Sequence, residues 1–274
     1  MKISVIVSTY NRPTALNIVL NALLVQNYSN IEILVADDGS SNDTRDLIQS
    51  INTRTASPIK HVWQQDKGFR AARIRNKAIL QSTGEYIIFL DGDCLVRYDF
   101  ISKHAKLAEK NYFVAGNRIL CSKKFSEKIL SQSIHVSDNY LYWFRKYLTH
   151  HINRFSPLFT LPVSLSWRKW NKKQWKGAKT CNLGVFRKDL YQVNGFDERF
   201  VGWGYEDSDL IIRLIRANIF HKNGRFYVPV FHLWHELNDR HREKQNKQYL
   251  QQVLAAKYIV AKKGLFISPF QSLS

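Results

Sequence analysis

Two carboxylates end an unbroken apolar run in residues 85–93. Ile87, Ile88, Phe89 and Leu90 lead straight into Asp91-Gly92-Asp93. Such a β-branched and aromatic run reads as a strand buried on both faces. Open α/β sheets bind their ligands past strand ends of this kind. Carboxylates one residue apart at that point can hold a divalent metal carrying a diphosphate. An ordinary Asp-Gly turn leaving a strand would look the same, so the rest of the chain has to decide. A second acidic group follows Gly202-Trp203-Gly204-Tyr205. Glu206, Asp207 and Asp209 open a helical stretch, residues 206–217, whose Leu210, Ile211, Leu214 and Ile215 form an apolar stripe. Helix capping accounts for one or two acids there. Three acids in four positions, behind a glycine turn with an aromatic wall, is more than capping needs. A third feature is the pair His232 and His235, three residues apart at a strand end, a workable set of metal ligands.

These groups need elements to position them. Residues 2–8 and 31–36 read as strands, and Pro13 opens a helix with Leu16, Val19, Leu20, Leu23 and Leu24 on one face. The second strand ends in Asp37-Asp38-Gly39-Ser40-Ser41, and a helix follows at 45–51. Strand 59–64 leads into an arginine-rich helix after Gly68. On it Arg70, Arg73 and Lys77 share one face, while Ala71, Ile74 and Ala78 share another. A guanidinium face beside strand ends can grip phosphates or neutralise the aspartates. Further on, the pattern predicts a helix at 100–110, strands at 112–116 and 180–186, and a last strand at 226–234, on an edge because of Pro229. Strand and helix alternating at this spacing predict an α/β fold, Rossmann-like, with a mostly parallel sheet and flanking helices. The early strands then end on the same edge as Asp91.

At 274 residues with 45% hydrophobic content, the chain suits one large domain with an elaborated lobe. Cys94, Cys121 and Cys181 are widely spaced and form no C-x-x-C pair, which argues against a disulfide framework or structural zinc and for a reducing compartment. The opening apolar run of five residues is too short for a signal peptide, and no segment approaches the ~18 uncharged apolar residues of a membrane span. The expected location is cytoplasmic.

The net charge of +19 is unevenly spread. Residues 1–117 carry 14 Lys/Arg against 11 Asp/Glu, and residues 118–180 carry 13 against 2. Residues 181–239 carry 7 against 8, and residues 240–274 carry 7 against 1. The middle segment also holds Trp143, Trp167, Trp170 and Trp175, and reads as helical over 129–148. Aromatics interleaved with Lys/Arg stack on sugars or seat in a membrane interface, and basic patches suit phosphate-rich partners. Charge divides the chain into residues 1–117, a basic aromatic insertion at 118–180 facing acceptor or membrane, residues 181–239, and a basic helical tail at 240–274 whose helix Gly264 ends.

Several of these stretches together resemble a known family. The opening Val7-Ser8-Thr9-Tyr10-Asn11-Arg12-Pro13, the Asp37-Asp38-Gly39-Ser40-Ser41 after the second strand, the Gly68-x-x-x-Ala72-Arg73-x-x-Asn76 helix and Leu90-Asp91-Gly92-Asp93 are similar to family 2 glycosyltransferases. Gly202–Asp209 and His232-Leu233-Trp234-His235 resemble the C-terminal region shared by β-1,4-galactosyltransferases and chondroitin-polymerase-type enzymes. The ordered combination extends over most of the chain. The resemblance implies a GT-A fold, with a nucleotide-sugar-binding half at 1–117 and an acceptor and catalytic half at 181–239 of the same domain. It also implies inverting, metal-dependent transfer of a hexose or N-acetylhexosamine, galactose-type favoured, from a UDP-sugar. The acceptor would be a glycan or lipid-linked sugar in bacterial surface polysaccharide or lipopolysaccharide synthesis, with the protein peripheral on the inner face of the cell membrane.

Carried over by position, Thr9, Tyr10, Arg12 and Asp38 would line the nucleotide pocket, and Arg73 and Asn76 would stand near Asp91. Asp91 would face the ribose or donor sugar. Asp93, His232 and His235 would hold Mn²⁺ or Mg²⁺. Asp207, beside Glu206, would be the base, and Trp203 would stack on a sugar. Which of Arg70, Arg73 and Arg75 contacts the donor stays open, and Tyr205 and Ser208 depart from the galactosyltransferase pattern. A sugar-nucleotide-forming nucleotidyltransferase would need a glycine-rich loop after the first strand, where Thr9-Tyr10-Asn11-Arg12-Pro13 has no glycine. A dehydrogenase would need G-x-G-x-x-G there. A non-enzymatic polyanion or nucleic-acid binder would explain the charge, but not the uncharged strands ending in Asp91 and Asp93. No nucleic acid partner is expected.

Overall fold

The structure is a computed structural model that describes residues 1–56, 58–132, 139–236 and 239–266. Its elements, in order, are β1 (Ile3–Thr9), α1 (Pro13–Leu24), β2 (Ile31–Asp37), α2 (Asn42–Asn52), β3 (Lys60–Trp63), α3 (Ala71–Gln81), β4 (Tyr86–Asp91) and β5 (Cys94–Leu95). There follow α4 (Phe100–Leu107), β6 (Tyr112–Ala115), β7 (Arg118–Leu120), α5 (Lys123–Gln132), α6 (Tyr140–Leu148), β8 (Asn182–Phe186), α7 (Arg187–Gln192), α8 (Glu206–Arg216), β9 (Phe220–Asn223), β10 (Val230–His232) and α9 (Glu243–Ala255).

Seven strands form one sheet in the order β3-β2-β1-β4-β8-β6-β9, and β8 alone runs antiparallel to its neighbours. The pleat sorts the core into two slabs. On one face Val5, Val7, Val35, Ile88 and Leu90 pack with α1 through Leu16, Val19, Leu20 and Leu23. On the other, Ile6, Leu34, Ile87 and Phe89 pack with α3 through Ile74 and Ala78 and with α8 through Leu210, Ile211 and Leu214. Apart from Ser4 and Glu32, which pair at 2.6 Å, strands this thoroughly covered turn polar only where they leave the sheet. β1, β2 and β4 all do so at the same edge.

A small second sheet, β5-β10-β7, stands beside that edge. It changes the expected place of the last strand. Only Val230–His232 is strand, and it is central in this small sheet, with Pro229 just ahead of it; the edge of the large sheet is β9. The helix expected over 129–148 is instead α5 and α6, with the intervening 133–138 outside the described residues. The tail helix α9 ends at Ala255, well before Gly264. Among the described residues no helix is long and apolar enough to cross a membrane.

Candidate active site

Parallel pairing brings the polar strand ends together. Ser8 lies in register with Asp91 across β1 and β4, and Thr9 with Asp37 across β1 and β2. Gly92 then folds back so that its N–H donates to the Ser8 carbonyl at 2.7 Å. A Cβ at Gly92 would stand 2.9 Å from that oxygen, so only glycine allows the approach that sets Asp91 and Asp93 side by side. Above them opens a cleft of about 410 Å³. Thr9, Tyr10, Arg12, Asp38, Asp91, Asp93, Trp203, Glu206, Asp207 and His235 all line it.

One side of the cleft is a cation surrounded by acids. Arg75, only 5% exposed, points NH1 at Glu206 (3.2 Å) and Asp207 (3.6 Å) and NH2 at Asp91 (3.4 Å), while its Nε donates to Ser8 Oγ at 3.1 Å. Burial works against the guanidinium's charge, but Asp207, Asp91 and Glu206 outweigh it and its pKa rises. Burial pushes the Glu206 carboxyl up to about 7, helped by the Asp207 charge and opposed by Arg75. Asp91 rises to about 6 for the same leading reason, with Asp93 adding and Arg75 subtracting. Asp207 is held by Thr180, whose Oγ1 donates to Oδ1 at 2.7 Å. The third acid of that helix start, Asp209, faces away. It pairs with Arg213 at 2.7 Å, both fully buried, and serves the core.

The other side inverts the arrangement, with a carboxylate among nitrogens. Asp93 accepts from Arg12 NH1 at 2.6 Å, and its oxygens lie 3.6 Å from His232 Nε2 and 3.6 Å from His235 Nε2. β10 delivers His232, and its ring centroid is 5.2 Å from that of His235. Burial keeps His232 below the ordinary imidazole value, so it is neutral and able to coordinate. Cys94 Sγ, an Asp93 carboxylate oxygen and a His232 ring nitrogen lie within 4.8 Å of one another, and His235 adds a second imidazole beside Asp93. The carboxylate and the imidazoles fit a divalent cation such as Mn²⁺, for which a thiol is the poorer ligand.

The far end of the cleft is polar and rigid. Asp38 accepts from the Arg70 backbone N–H and from Gln64 Nε2, both at 2.6 Å, and its burial raises its pKa. Tyr10 is exposed and donates its hydroxyl to Asp66 at 2.9 Å. Trp203 sits in a turn where Gly202, Gly204 and Tyr205 all have positive φ. The tail braces this turn. Asn246, 1% exposed, donates Nδ2 to the carbonyls of Val201 (3.1 Å), Trp203 (3.3 Å) and Gly202 (3.5 Å), and Arg240 lies 4.2 Å from the Trp203 ring centroid.

Two expected residues fall elsewhere. Arg73 is exposed and outside the cleft. Asn76 is buried beneath it, donating to the Phe196 carbonyl at 2.9 Å and accepting from the Phe196 N–H at 2.8 Å. Arg75 takes the place beside Asp91. Its signal was present in the sequence: Ala71, Arg75 and Ala78 fall at i, i+4 and i+7, which puts an arginine on the buried face of α3. Thr180 and Asn246 carried no such signal, since their roles come from chain segments far away in sequence.

The glycosyl transferase family 2 model matches residues 4–173, and a second model, described as the N-terminal domain of galactosyltransferase, matches residues 162–232. The chain is 28% identical over 232 residues to validoxylamine A glucosyltransferase of Streptomyces hygroscopicus subsp. jinggangensis, covering 77% of this chain and 51% of that protein. It is 25% identical over 236 residues to chondroitin synthase of Escherichia coli, covering 81% of this chain and 33% of that one. It therefore spans about half of the first relative and a third of the second. In structure it resembles S. aureus TarS in complex with UDP, with a TM-score of 0.60, 15% identity, and coverage of 96% of this chain and 67% of that one. It also resembles the mannosyltransferase PcManGT from Pyrobaculum calidifontis, solved with GDP-Man and Mn²⁺, with a TM-score of 0.60, 18% identity, and coverage of 93% and 63%. Those likenesses establish the GT-A fold. With a family model covering well over half its length on that fold, the chain belongs to glycosyl transferase family 2.

Proposed function

We propose that this enzyme transfers a hexose or N-acetylhexosamine, galactose-type by preference, from a UDP-sugar to a hydroxyl of a glycan or lipid-linked acceptor, with inversion. The carrying observation is that Asp207, Asp93 and His235 line one cleft at the C-terminal edge of the parallel strands, with His232 3.6 Å from Asp93. The acceptor oxygen forms its bond to the anomeric carbon as the bond to the diphosphate oxygen breaks, and the electron pair leaves with UDP. Asp207 takes the hydroxyl proton. Its Oδ1 is fixed by Thr180, so its other oxygen can accept. A single displacement inverts the anomeric centre and needs only one base. Arg12, at the Asp93 end, offers a cation to the leaving diphosphate.

Asp93, His232 and His235 would hold Mn²⁺ or Mg²⁺, which when bound supplies charge neutralisation to that leaving group. Thr9, Tyr10 and Asp38 bind the nucleotide, Asp91 faces the ribose or donor sugar, and Trp203 stacks on a sugar ring. The preference for galactose leans on the galactosyltransferase model at 162–232. Polysaccharide or lipopolysaccharide synthesis on the cytoplasmic face, at an anionic membrane surface, completes the reading.

The test is hydrolysis and transfer with a panel of UDP-sugars, in Mn²⁺ or EDTA, by the wild type and Asp93→Ala. Metal-dependent UDP release from one sugar, lost in the variant, is expected. Turnover unaffected by EDTA and by Asp93→Ala would contradict the metal assignment. A steep loss of polyanion binding with salt, indifferent to Mn²⁺ and with no turnover, would favour the binding protein instead.

A further inference from the structure

The helix α6 turns the wrong side outward for a helix of a freely soluble enzyme. Tyr140, Leu141, Phe144, Tyr147 and Leu148 fall within one arc of its wheel at 100° per residue, and all are exposed, Leu141 at 56% and Leu148 at 58%. What packs is the flank of this arc beyond Tyr147. Trp143 is 3% exposed and stacks on Phe231 with centroids 4.2 Å apart. The outward arc continues onto the next segment, where Phe155 meets Phe144 at 5.4 Å and Phe159 lies 6.3 Å from Tyr140, itself 51% exposed. An apolar arc left in water is costly unless something covers it.

The charge around the arc says what covers it. Around it, residues 139–160 contain Arg145, Lys146 and Arg154 and no Asp or Glu, and Arg97 lies 5.9 Å from the Tyr140 ring centroid. Arg145 and Arg154 are exposed, and Lys146 lies over the Tyr142 and Phe125 rings at 5.1 and 5.2 Å. A second copy of this chain would bring the same positive charge to the contact. A bilayer with anionic headgroups satisfies both features, taking the leucines and aromatic rings into the acyl boundary and the cations into the phosphate layer.

We infer that the outward face of α6, with Phe159 beside it, docks the enzyme on an anionic lipid bilayer. The inference rests on the membrane part of the proposed function and gives it a location in the fold. Trp143 fastens α6 to Phe231, the residue before His232, so the docked helix lies one packing layer from the Asp93 group. A lipid-linked acceptor in the same leaflet would then have a short path to the cleft.

Vesicle flotation tests it, using full-length wild type and the double variant Leu141→Glu/Leu148→Glu against phosphatidylcholine alone and phosphatidylcholine with phosphatidylglycerol. Wild type should float with the anionic vesicles only and release as salt is raised. The double variant should lose at least about tenfold in partitioning, which is what removing about 1.4 kcal/mol of apolar burial does. Circular dichroism should show both proteins equally folded, and UDP release without vesicles should be equal in the two. That last readout separates the claims, since loss of flotation with UDP release intact concerns the docking face alone. Absence of flotation by wild type, equal flotation by both proteins, or a dimer in sedimentation velocity that only wild type forms would each overturn the inference.

Discussion

Asp91 and Asp93 are one residue apart, yet they anchor opposite kinds of site. Around Asp91, one buried arginine is shared by three carboxylates, Asp91, Glu206 and Asp207. Around Asp93, one carboxylate is shared by an arginine and two imidazoles. The first cluster carries its own cation, 5% exposed, beneath Asp91 and Asp207, whose side chains keep 31% and 20% exposure at the cleft. In the second, Arg12 and His235 keep side-chain exposures of 31% and 27%, so its nitrogens face the cleft. A glycine between the two aspartates thus separates an internal charge balance, which holds Asp207 in place, from an open receptor for charge brought from outside.

The same substitution at the two arginines should break this comparison if it is wrong. Arg75→Met leaves three carboxylates without their buried cation and should cost about 3–5 kcal/mol of stability. Arg12→Met, at a partly exposed pair, should cost at most about 1 kcal/mol and act on donor binding instead. Urea unfolding of the two variants checks both, and equal losses would mean that the clusters are not different in kind.

A smaller effect is expected from the brace. Asn246→Ala removes the donor shared by three carbonyls of the Trp203 turn and should cost about 1–2 kcal/mol. Because Asn246 acts through Trp203, the variant should raise KM for the sugar substrates more than it lowers kcat. A kcat loss with KM unchanged would detach the turn from binding.

The smallest effect is in pH. Glu206 titrates near 7 when folded against an ordinary 4.5, so between those values the folded chain keeps a proton that the unfolded chain has lost. Stability should therefore fall as pH rises through that window. His104 and His221, buried and lowered to about 4, push the other way between 4 and 6.5, because the unfolded chain takes up the protons there. Their contribution is common to wild type and Glu206→Gln and cancels in the difference. Melting temperatures from pH 5 to 8 should drop less for Glu206→Gln; parallel curves would place the raised titration elsewhere.

What was readable in the sequence, and what was not, follows the same physics. β1, β2 and β4 were legible because strands covered on both faces are mostly apolar, and the polar residues at their C-terminal ends mark the ligand edge. Asp91 and Asp93 stand out that way, and Glu206 and Asp207 by their place behind Gly202-Trp203-Gly204. The Gly68-x-x-x-Ala72-Arg73-x-x-Asn76 pattern points to Arg73 and leaves Arg70 and Arg75 open, whereas the arginine that reaches the carboxylates, Arg75, sits on the buried face of α3. β9 was missed because Phe220-His221-Lys222-Asn223 is an edge strand satisfied by particular partners. His221 stacks on Phe113 at 5.3 Å, and Lys222 reaches Glu109 at 2.9 Å, contacts that no periodicity announces. The short β10 was overextended because an apolar run, 226–234, does not say which of its residues pair.

The most direct test of the two-cluster account is Mn²⁺ binding in the presence of UDP, measured by calorimetry on wild type, Asp93→Ala and Asp207→Asn, with sugar transfer assayed alongside. Asp207→Asn should bind Mn²⁺ like wild type while transfer falls by roughly 10²–10⁴-fold. Asp93→Ala should lose the metal and transfer together. Mn²⁺ bound undiminished by Asp93→Ala, or lost in Asp207→Asn, would contradict the division of labour between the two clusters.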